Sequence, residues 1–345
     1  MQEYIHYKDY NSLYTGFNSA AHEEYDPRTK SYFNFCMVPG SSPQIRVFEI
    51  TQQSNQNPLR EIAAIKTKSF SYIHSFSSTP KYVILMAWPY IHDLLGAKIP
   101  ITGNYIKHLK WYKDKPVFFY VVDRALGKHV ATFQLDSPFF WYINKLIYSF
   151  HTINAFDDGQ DIVIDLCGYD DANIVNHLHI PKEISKEPQV HSSFRRFRLK
   201  SIDEAIKNVS KENPKALIDF EIKCSVELPR INEKYRHSGD YTFVYGVANE
   251  SHEQHQHSFL DSIVKVNVKD KSFKVWSKKG YTPGEPIFVA NPNGIDEDDG
   301  VLLTVCLDGF GNQSRLVVLD AKSLTELASA QTPVIVPFGF HGSFQ

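Results

Sequence analysis

Short runs of β-branched and aromatic residues, separated by turns rich in Gly, Pro, Asp and Asn, dominate the chain. The clearest example is residues 150–169, FHTINAFDDGQDIVIDLCGY, in which two apolar runs flank an Asp-Asp-Gly turn. This pattern predicts a β-hairpin. His151 stands immediately before the first predicted strand.

The same arrangement recurs along the chain at intervals of 52 to 77 residues, with a His or a Glu in the place of His151. Each repeat also carries a second hairpin, such as the one that residues 117–135 predict. Four strands per repeat at this period indicate the blades of a β-propeller, so we expect an all-β fold. The recurring positions are His22, His74, His151, Glu227, Glu285 and, at the end of the series, His341.

Composition narrows the classes of partner. The formal net charge of −2 gives no bulk attraction to nucleic acid, so we expect no nucleic-acid partner. We interpret the basic run FRRFRLK, residues 194–200, as an exposed strand with solvated side chains, because one short cluster is a weak nucleic-acid signature. The HEQHQH run with His252, His255 and His257 has no apolar framing, which favours a solvated loop over a metal site.

The four cysteines show no CxxC spacing, and Cys36, Cys167 and Cys306 fall in or beside apolar strand runs, which predicts buried thiols. A reducing, cytoplasmic location fits this usage. The first residues, MQEYIHYKDYNS, have no signal-peptide pattern, and no apolar run approaches the roughly 20 residues that span a bilayer.

Residues 88–112 interrupt the strand rhythm with Trp, Tyr, Leu and Ile, and lysines follow at the end of the segment. Two interpretations stay open. The segment is either a helix or loop that covers the faces of the blades, or a patch that contacts a membrane surface. Residues 138–150 have a similar character.

The recurring positions predict a metal site. Because the innermost strands of a propeller line a central channel, residues that begin these strands converge on one axis. Four imidazoles without thiolate suit Fe, Cu, Ni or Zn. A carboxylate beside a metal-binding His usually accepts the N–H of the other ring nitrogen, and we assign Glu227 and Glu285 to that role. The predicted metal ligands are His22, His74, His151 and His341.

These segments resemble the carotenoid cleavage oxygenase family. The matching motifs run from residue 21 to the C-terminus and are highly specific as a set. AHEEYDPRTKSYFNF and HSFSSTPKY are most similar to the fungal branch that includes torulene dioxygenase. The motifs that carry the resemblance are AHEEYDP, YIHSF, FHTINAFDDG with DLCGY, GEPIFV with DEDDGVLL, and VPFGFHG.

The resemblance implies a seven-bladed β-propeller with Fe(II) held by the four histidines, with Glu227 and Glu285 as their carboxylate partners. It implies a dioxygenase that adds O₂ across a conjugated double bond of a carotenoid or apocarotenoid and yields two carbonyl products. No protein nucleophile is required. Tyr72 lies two residues before His74 and is expected to line the substrate cavity. A polyene substrate arrives from lipid, which favours peripheral membrane contact by residues 88–112.

We expect a single domain over residues 1–345 with about five blades, and we expect that the N-terminal blades, with a third glutamate, are missing. An open ring would expose the edges and apolar faces of its end blades, so we expect the chain alone to be poorly soluble and weak in iron. Two alternatives to the carotenoid-cleaving enzyme remain. One is a non-catalytic or regulatory carotenoid-binding relative, and the other is a stilbene-cleaving oxygenase.

Overall fold

The computed structural model of the protein describes residues 18–51, 59–136, 147–178, 191–207, 212–249 and 260–344. These residues are mostly β-strand, and the chain divides into two compact units. Unit 1 comprises residues 1–144 and 201–216, and unit 2 comprises residues 145–200 and 217–345.

The described part of unit 1 contains ten strands. They are β1 (Glu24–Asp26), β2 (Ser31–Val38), β3 (Gln44–Thr51), β4 (Leu59–Lys66), β5 (Ser77–Ser78), β6 (Tyr82–Ala87), β7 (Tyr90–His92), β8 (Leu109–Trp111), β9 (Val117–Asp123) and β10 (Lys128–Leu135). They form two four-stranded antiparallel sheets, ordered β1-β2-β3-β4 and β10-β9-β6-β5, and a separate β7-β8 hairpin.

Unit 2 contains three sheets among its described residues. Its strands are β11 (Thr152–Asp158), β12 (Asp161–Gly168), β13 (Ser193–Leu199), β14 (Ala216–Ile222), β15 (Glu227–Arg230), β16 (Phe243–Ala248), β17 (Ser262–Asn267), β18 (Phe273–Ser277), β19 (Tyr281–Pro283), β20 (Ile287–Ala290), β21 (Gly300–Asp308), β22 (Gln313–Asp320) and β23 (Glu326–Gln331). The sheet orders are β11-β12-β13-β14, β15-β16-β17-β18 and β19-β21-β22-β23, and β20 also pairs with β21. Five larger sheets among the described residues match the predicted number of blades.

Helices are short in the described residues. One α-helix lies at Ile202–Lys207. Two further α-helical turns are Ile99–Thr102 and Ile174–His177, and the 3₁₀ turns are Asp93–Gly96, Ile106–His108 and Glu233–Tyr235.

The hairpin predicted at residues 150–169 is confirmed. Strands β11 and β12 pair antiparallel up to Asp158 opposite Asp161, which leaves a two-residue turn of Gly159 and Gln160. Gly159 adopts a φ of 63°, which residues with a Cβ rarely adopt. Strand β12 is buried at seven of its eight positions, and its buried residues are apolar apart from Asp165 and Gly168.

The three sheets of unit 2 share two apolar cores. One core joins Val163 of β12 to Val244 of β16, and the other joins Ile263 of β17 to Val317 of β22. Each fully buried Val, Ile, Leu or Phe side chain contributes about 1.5–3 kcal/mol to the free energy of folding. The apolar faces that the alternating strands present therefore stabilise the stacking of successive sheets within this unit.

The basic run corrects one expectation. Strand β13 was interpreted as exposed with solvated arginines, and this is wrong, because five of its seven positions are buried. The guanidinium of Arg195 bonds Asp170 and Glu221, and that of Arg198 bonds acidic side chains on three sides. The arginines of β13 are therefore paired with carboxylates from neighbouring parts of the chain.

Residues 88–112 contain the β7-β8 hairpin, which neither interpretation of the sequence foresaw. The segment pairs with the residues before His74, since the amide of Tyr72 donates to the carbonyl of Tyr90 at 2.7 Å. Between β7 and β8 the chain exposes 62% of Leu94, 84% of Ile101 and 46% of Ile106.

All four cysteines lie in the described residues as buried free thiols, as predicted for Cys36, Cys167 and Cys306. Burial raises the pKa of Cys36 to about 11 and that of Cys306 to about 12. Among the described residues, no helix is long and apolar enough to cross a membrane.

A buried ion pair in unit 2 gives a first prediction. Asp165 on β12 is fully buried and accepts two hydrogen bonds from Arg196 on β13, at 2.8 and 2.7 Å, and a third from the hydroxyl of Tyr241. Asp165→Asn should leave the Arg196 guanidinium without its counter-charge and lower the free energy of unfolding by about 3–5 kcal/mol. Denaturant unfolding measures this loss.

The double variant Asp165→Leu with Arg196→Leu is the control, because removing both charges leaves neither buried alone. It should be less destabilised than the sum of its single variants. A double variant as unstable as that sum would show that the two charges are not coupled.

Candidate metal centre

The recurring His or Glu occupies the same place in each of the five larger sheets. His22 precedes β1, His74 precedes β5, His151 precedes β11, Glu227 begins β15, and Glu285 precedes β20. Strands β1, β5, β11 and β15 each lie at an edge of their sheet, and β20 pairs with β21 of the fifth sheet. The sequence repeat is therefore a structural repeat, and it places one chemically active side chain at the start of each sheet.

In unit 1 the structure brings His22 and His74 together. The amide of His22 donates to the carbonyl of His74 at 3.3 Å, and so does the amide of Ala21 at 2.9 Å. These backbone bonds hold the two rings with centroids 4.9 Å apart and Nε2 atoms 3.2 Å apart. Two imidazole nitrogens at this distance can share a proton or bind a common cation.

Tyr72 contacts the second histidine of this pair. Its hydroxyl lies 2.8 Å from Nδ1 of His74, and its ring packs edge-on against Tyr90 and Tyr105. Burial, followed by the neighbouring Tyr90, raises the pKa of Tyr72 to about 12, so the phenol keeps its proton at neutral pH. The residue spacing placed Tyr72 and His74 on one face, but it did not reveal this hydrogen bond.

In unit 2 Glu227 pairs with His151. Nδ1 of His151 lies 2.5 Å from Oε2 of Glu227, and the same oxygen accepts from the amide of Leu228 at 3.0 Å. Both side chains are about nine-tenths buried. A carboxylate at Nδ1 accepts the ring N–H there, which leaves Nε2 as the nitrogen that can bind a metal.

A bulge in β15 aims Glu227. The pairing with β16 shifts register between Glu227 and Arg230, and the buried Leu228 adopts a φ of 48°. Gly246 lies opposite, where an added Cβ would approach the carbonyl oxygen of Glu227 to 2.7 Å. Only glycine permits this close approach of the two strands.

Glu285 pairs with His341 in the same unit. Nδ1 of His341 lies 3.0 Å from Oε1 of Glu285, while Oε2 accepts from the amide of Gly342 and from Arg230, both at 2.9 Å. Burial raises the pKa of Glu285, but the bonds from His341 and Arg230 outweigh it, so the pKa lies below its ordinary value. The carboxylate is therefore ionised at neutral pH.

Unit 2 also brings its two histidines together, with the ring centroids of His151 and His341 5.2 Å apart and the rings nearly perpendicular. The structure thus presents two histidine pairs, one in each unit. Arg230 and Gly246 belong to the surroundings of these histidines and were missed from the sequence. His252, His255 and His257 lie outside the described residues.

Comparison with known proteins places the chain in a family. The family model described as retinal pigment epithelial membrane protein matches residues 3–345. A carotenoid dioxygenase of Neurospora crassa is 30% identical over 360 residues, which cover 95% of this chain and 56% of that protein. A mitochondrial carotenoid-cleaving dioxygenase of Macaca fascicularis is 30% identical over 94% of this chain and 64% of its own length.

The torulene dioxygenase of Fusarium fujikuroi is 27% identical and covers 94% of this chain and 58% of that protein. Fungal and animal relatives thus match at similar identity, and the chain spans between 56% and 64% of the length of these three. A torulene dioxygenase among them agrees with the resemblance of the first histidine motifs to the fungal branch.

Solved structures support the fold. A chimera of apocarotenoid oxygenase and the retinal pigment epithelial protein matches with a TM-score of 0.74 at 22% identity, over 94% of this chain and 64% of its own. Cobalt-substituted apocarotenoid oxygenase of Synechocystis matches with a TM-score of 0.70 at 20% identity, over 94% and 64% of the two chains. The predicted fold class, a β-propeller of the carotenoid oxygenase type, is confirmed.

The match of the family model over nearly the whole chain, joined to relatives at 30% identity, settles the assignment. This protein belongs to the retinal pigment epithelial membrane protein family, the family of the carotenoid cleavage dioxygenases.

Proposed function

We propose that the protein is a non-haem Fe(II)-dependent dioxygenase that cleaves a conjugated C=C bond of a carotenoid or apocarotenoid into two carbonyl products. The names of the relatives from Neurospora crassa and Fusarium fujikuroi support this substrate class. The observation that carries the proposal is the carboxylate–imidazole pairing of His151 with Glu227 and of His341 with Glu285.

The donor set fits an iron ion. A neutral imidazole whose Nδ1–H is bonded to a carboxylate presents Nε2 as the metal ligand. Metal-binding histidines usually have such a carboxylate partner. Imidazole suits iron among other transition metals, and a relative is known in a cobalt-substituted form. We propose that His22, His74, His151 and His341 supply the four ligands.

Bound iron would supply the activation of O₂. The described residues contribute positioning and proton control. Glu227 and Glu285 accept the Nδ1 protons, so that Nε2 is the nitrogen of His151 and of His341 that can bind a metal. Tyr72 holds His74 through its hydroxyl. We propose that its ring lines the cavity for the polyene.

Substitution of His341 tests the metal site. His341→Ala should abolish stoichiometric iron and O₂-dependent cleavage, because one of four ligands is lost. Glu285→Gln keeps the shape but removes the charge, and should weaken metal affinity by about 10- to 100-fold. Metal analysis of the purified variants, paired with chromatography of the products, measures both effects.

His129→Ala is the matched control, since this half-buried histidine of β10 bonds only its own strand in the described contacts, at Ala131 and Thr132. It should keep the iron. Full iron content and full activity in His341→Ala or in His151→Ala would show that the ligand assignment is wrong.

We also propose that residues 88–112 contact a membrane surface. The tip between β7 and β8 exposes Leu94, Ile101 and Ile106, and Lys98, Lys107 and Lys110 are exposed beside them. Apolar side chains bordered by lysines suit the boundary between lipid headgroups and acyl chains, particularly where the lipids are anionic. Such contact would deliver a substrate that is itself dissolved in lipid.

The triple variant Leu94→Ser, Leu95→Ser and Ile101→Ser tests this contact. It should release the protein from anionic liposomes in a flotation assay and leave metal content unchanged, because none of the three residues is a proposed metal ligand. Serines at Leu126, Ile295 and Leu327, which are 60%, 88% and 57% exposed, provide the control. Equal flotation of the tip variant and the unaltered protein would contradict the proposal.

A further inference from the structure

Arg230 contacts the carboxylate partner of His341 and the residue that follows His341 in the chain. The residue ends β15, and its Nη2 donates to Oε2 of Glu285 at 2.9 Å and to the carbonyl of Gly342 at 2.8 Å. Glu285 is the hydrogen-bond partner of His341, and Gly342 is the next residue in the chain. One guanidinium nitrogen therefore holds the carboxylate that orients the imidazole and the backbone that follows it.

We propose that Arg230 is a positioning residue that fixes the orientation of His341 through Glu285. This inference rests on the proposed role of His341 as a metal ligand. Arg230 would set the direction in which Nε2 of His341 points, without touching metal or substrate.

The two oxygens of Glu285 have separate tasks. Oε2 accepts from Arg230 and from the amide of Gly342, while Oε1 faces Nδ1 of His341. Because the Glu285 side chain is only 5% exposed, water cannot readily replace a lost donor. A hydrogen bond from a guanidinium to a carboxylate is charge-assisted, and it is therefore stronger and more directional than a neutral one.

Strand β15 also contains the residue that bonds the other histidine of unit 2. Glu227 at its start bonds His151, and Arg230 at its end holds the partner of His341. Glu227 and Arg230 are only three positions apart in the sequence. The bulge between them has Leu228 at a φ of 48°. The four residues of β15 thus orient two histidines whose ring centroids lie 5.2 Å apart.

Cobalt binding to the full chain tests this role. Arg230→Met keeps the aliphatic stem but removes every donor, and it should raise the Co(II) dissociation constant about 10-fold, at the lower end of the effect of losing a carboxylate partner. The visible absorption of bound Co(II) should change, because it reports the ligand geometry. Arg230→Lys retains a charged donor for Glu285 and should recover part of the affinity and of the spectrum.

Arg198→Met is the matched control. Arg198 also lies in unit 2, has a side chain 21% exposed against 32% for Arg230, and bonds Asp158, Asp161 and Asp219. Its loss removes ion pairs without altering the surroundings of either histidine. The affinity and the spectrum of bound Co(II) should stay as in the unaltered protein.

His341→Ala separates the two levels of the proposal. If His341→Ala binds Co(II) with unaltered affinity and spectrum, the proposed metal site is wrong. If that variant loses the metal while Arg230→Met keeps unaltered affinity and spectrum, the metal site stands and the role of Arg230 is overturned.

The unfolding temperature of the metal-free protein separates positioning from stability. We expect it to change no more in Arg230→Met than in Arg198→Met. An equal loss of affinity in Arg230→Met and Arg230→Lys, accompanied by a matching fall in this temperature, would assign Arg230 a structural role only and overturn the proposal.

Discussion

Two carboxylate–imidazole hydrogen bonds, from His151 to Glu227 and from His341 to Glu285, are the contacts on which the proposed chemistry depends. A free imidazole can carry its proton on either nitrogen, and only the unprotonated one can bind a metal. The glutamates remove this choice by holding the proton at Nδ1. The surrounding sheets bury each carboxylate and hold it against its histidine. Burial alone would favour the neutral acid, and for Glu285 the guanidinium of Arg230 and the His341 bond reverse that effect.

The β-sheets solve the placement problem by repetition. Each of the five larger sheets presents one His or Glu at the start of an edge strand, so a single structural device positions chemically different groups. The strand β15 shows how a local departure from regular pairing serves this end. Its bulge, the left-handed Leu228 and the close approach of Gly246 turn Glu227 toward His151 and leave Arg230 directed to Glu285. Backbone strain of this kind persists where the surrounding structure determines it, and it is common at functional sites.

The sequence predicted the parts of this arrangement that depend on period and residue type. The hairpin at residues 150–169 and the repeat follow from alternating apolar runs and from their spacing. The assignment of Glu227 and Glu285 as carboxylate partners came from the chemistry of metal-binding histidines, and it did not say which glutamate bonds which histidine. Contacts between distant segments did not follow, since nothing in LPRIN shows that Arg230 reaches Glu285, 55 residues later. The basic strand β13 was misread for the same reason: the acids that pair with Arg195 and Arg198 come from other strands and turns. The β7-β8 hairpin was not predicted, because its three-residue strands are too short to show an alternation of apolar and polar residues.

We propose that these histidines hold an iron ion and that the protein cleaves a polyene with O₂. The most direct measurement is the mass of the products formed when iron-loaded protein meets a panel of carotenoids, apocarotenals and stilbenes, with and without O₂. We expect O₂-dependent formation of two carbonyl compounds from a carotenoid or apocarotenoid, with combined mass equal to the substrate plus one O₂. Bound iron and bound carotenoid without any carbonyl product would contradict it and indicate a non-catalytic carotenoid-binding protein, and cleavage of stilbenes alone would contradict the substrate class.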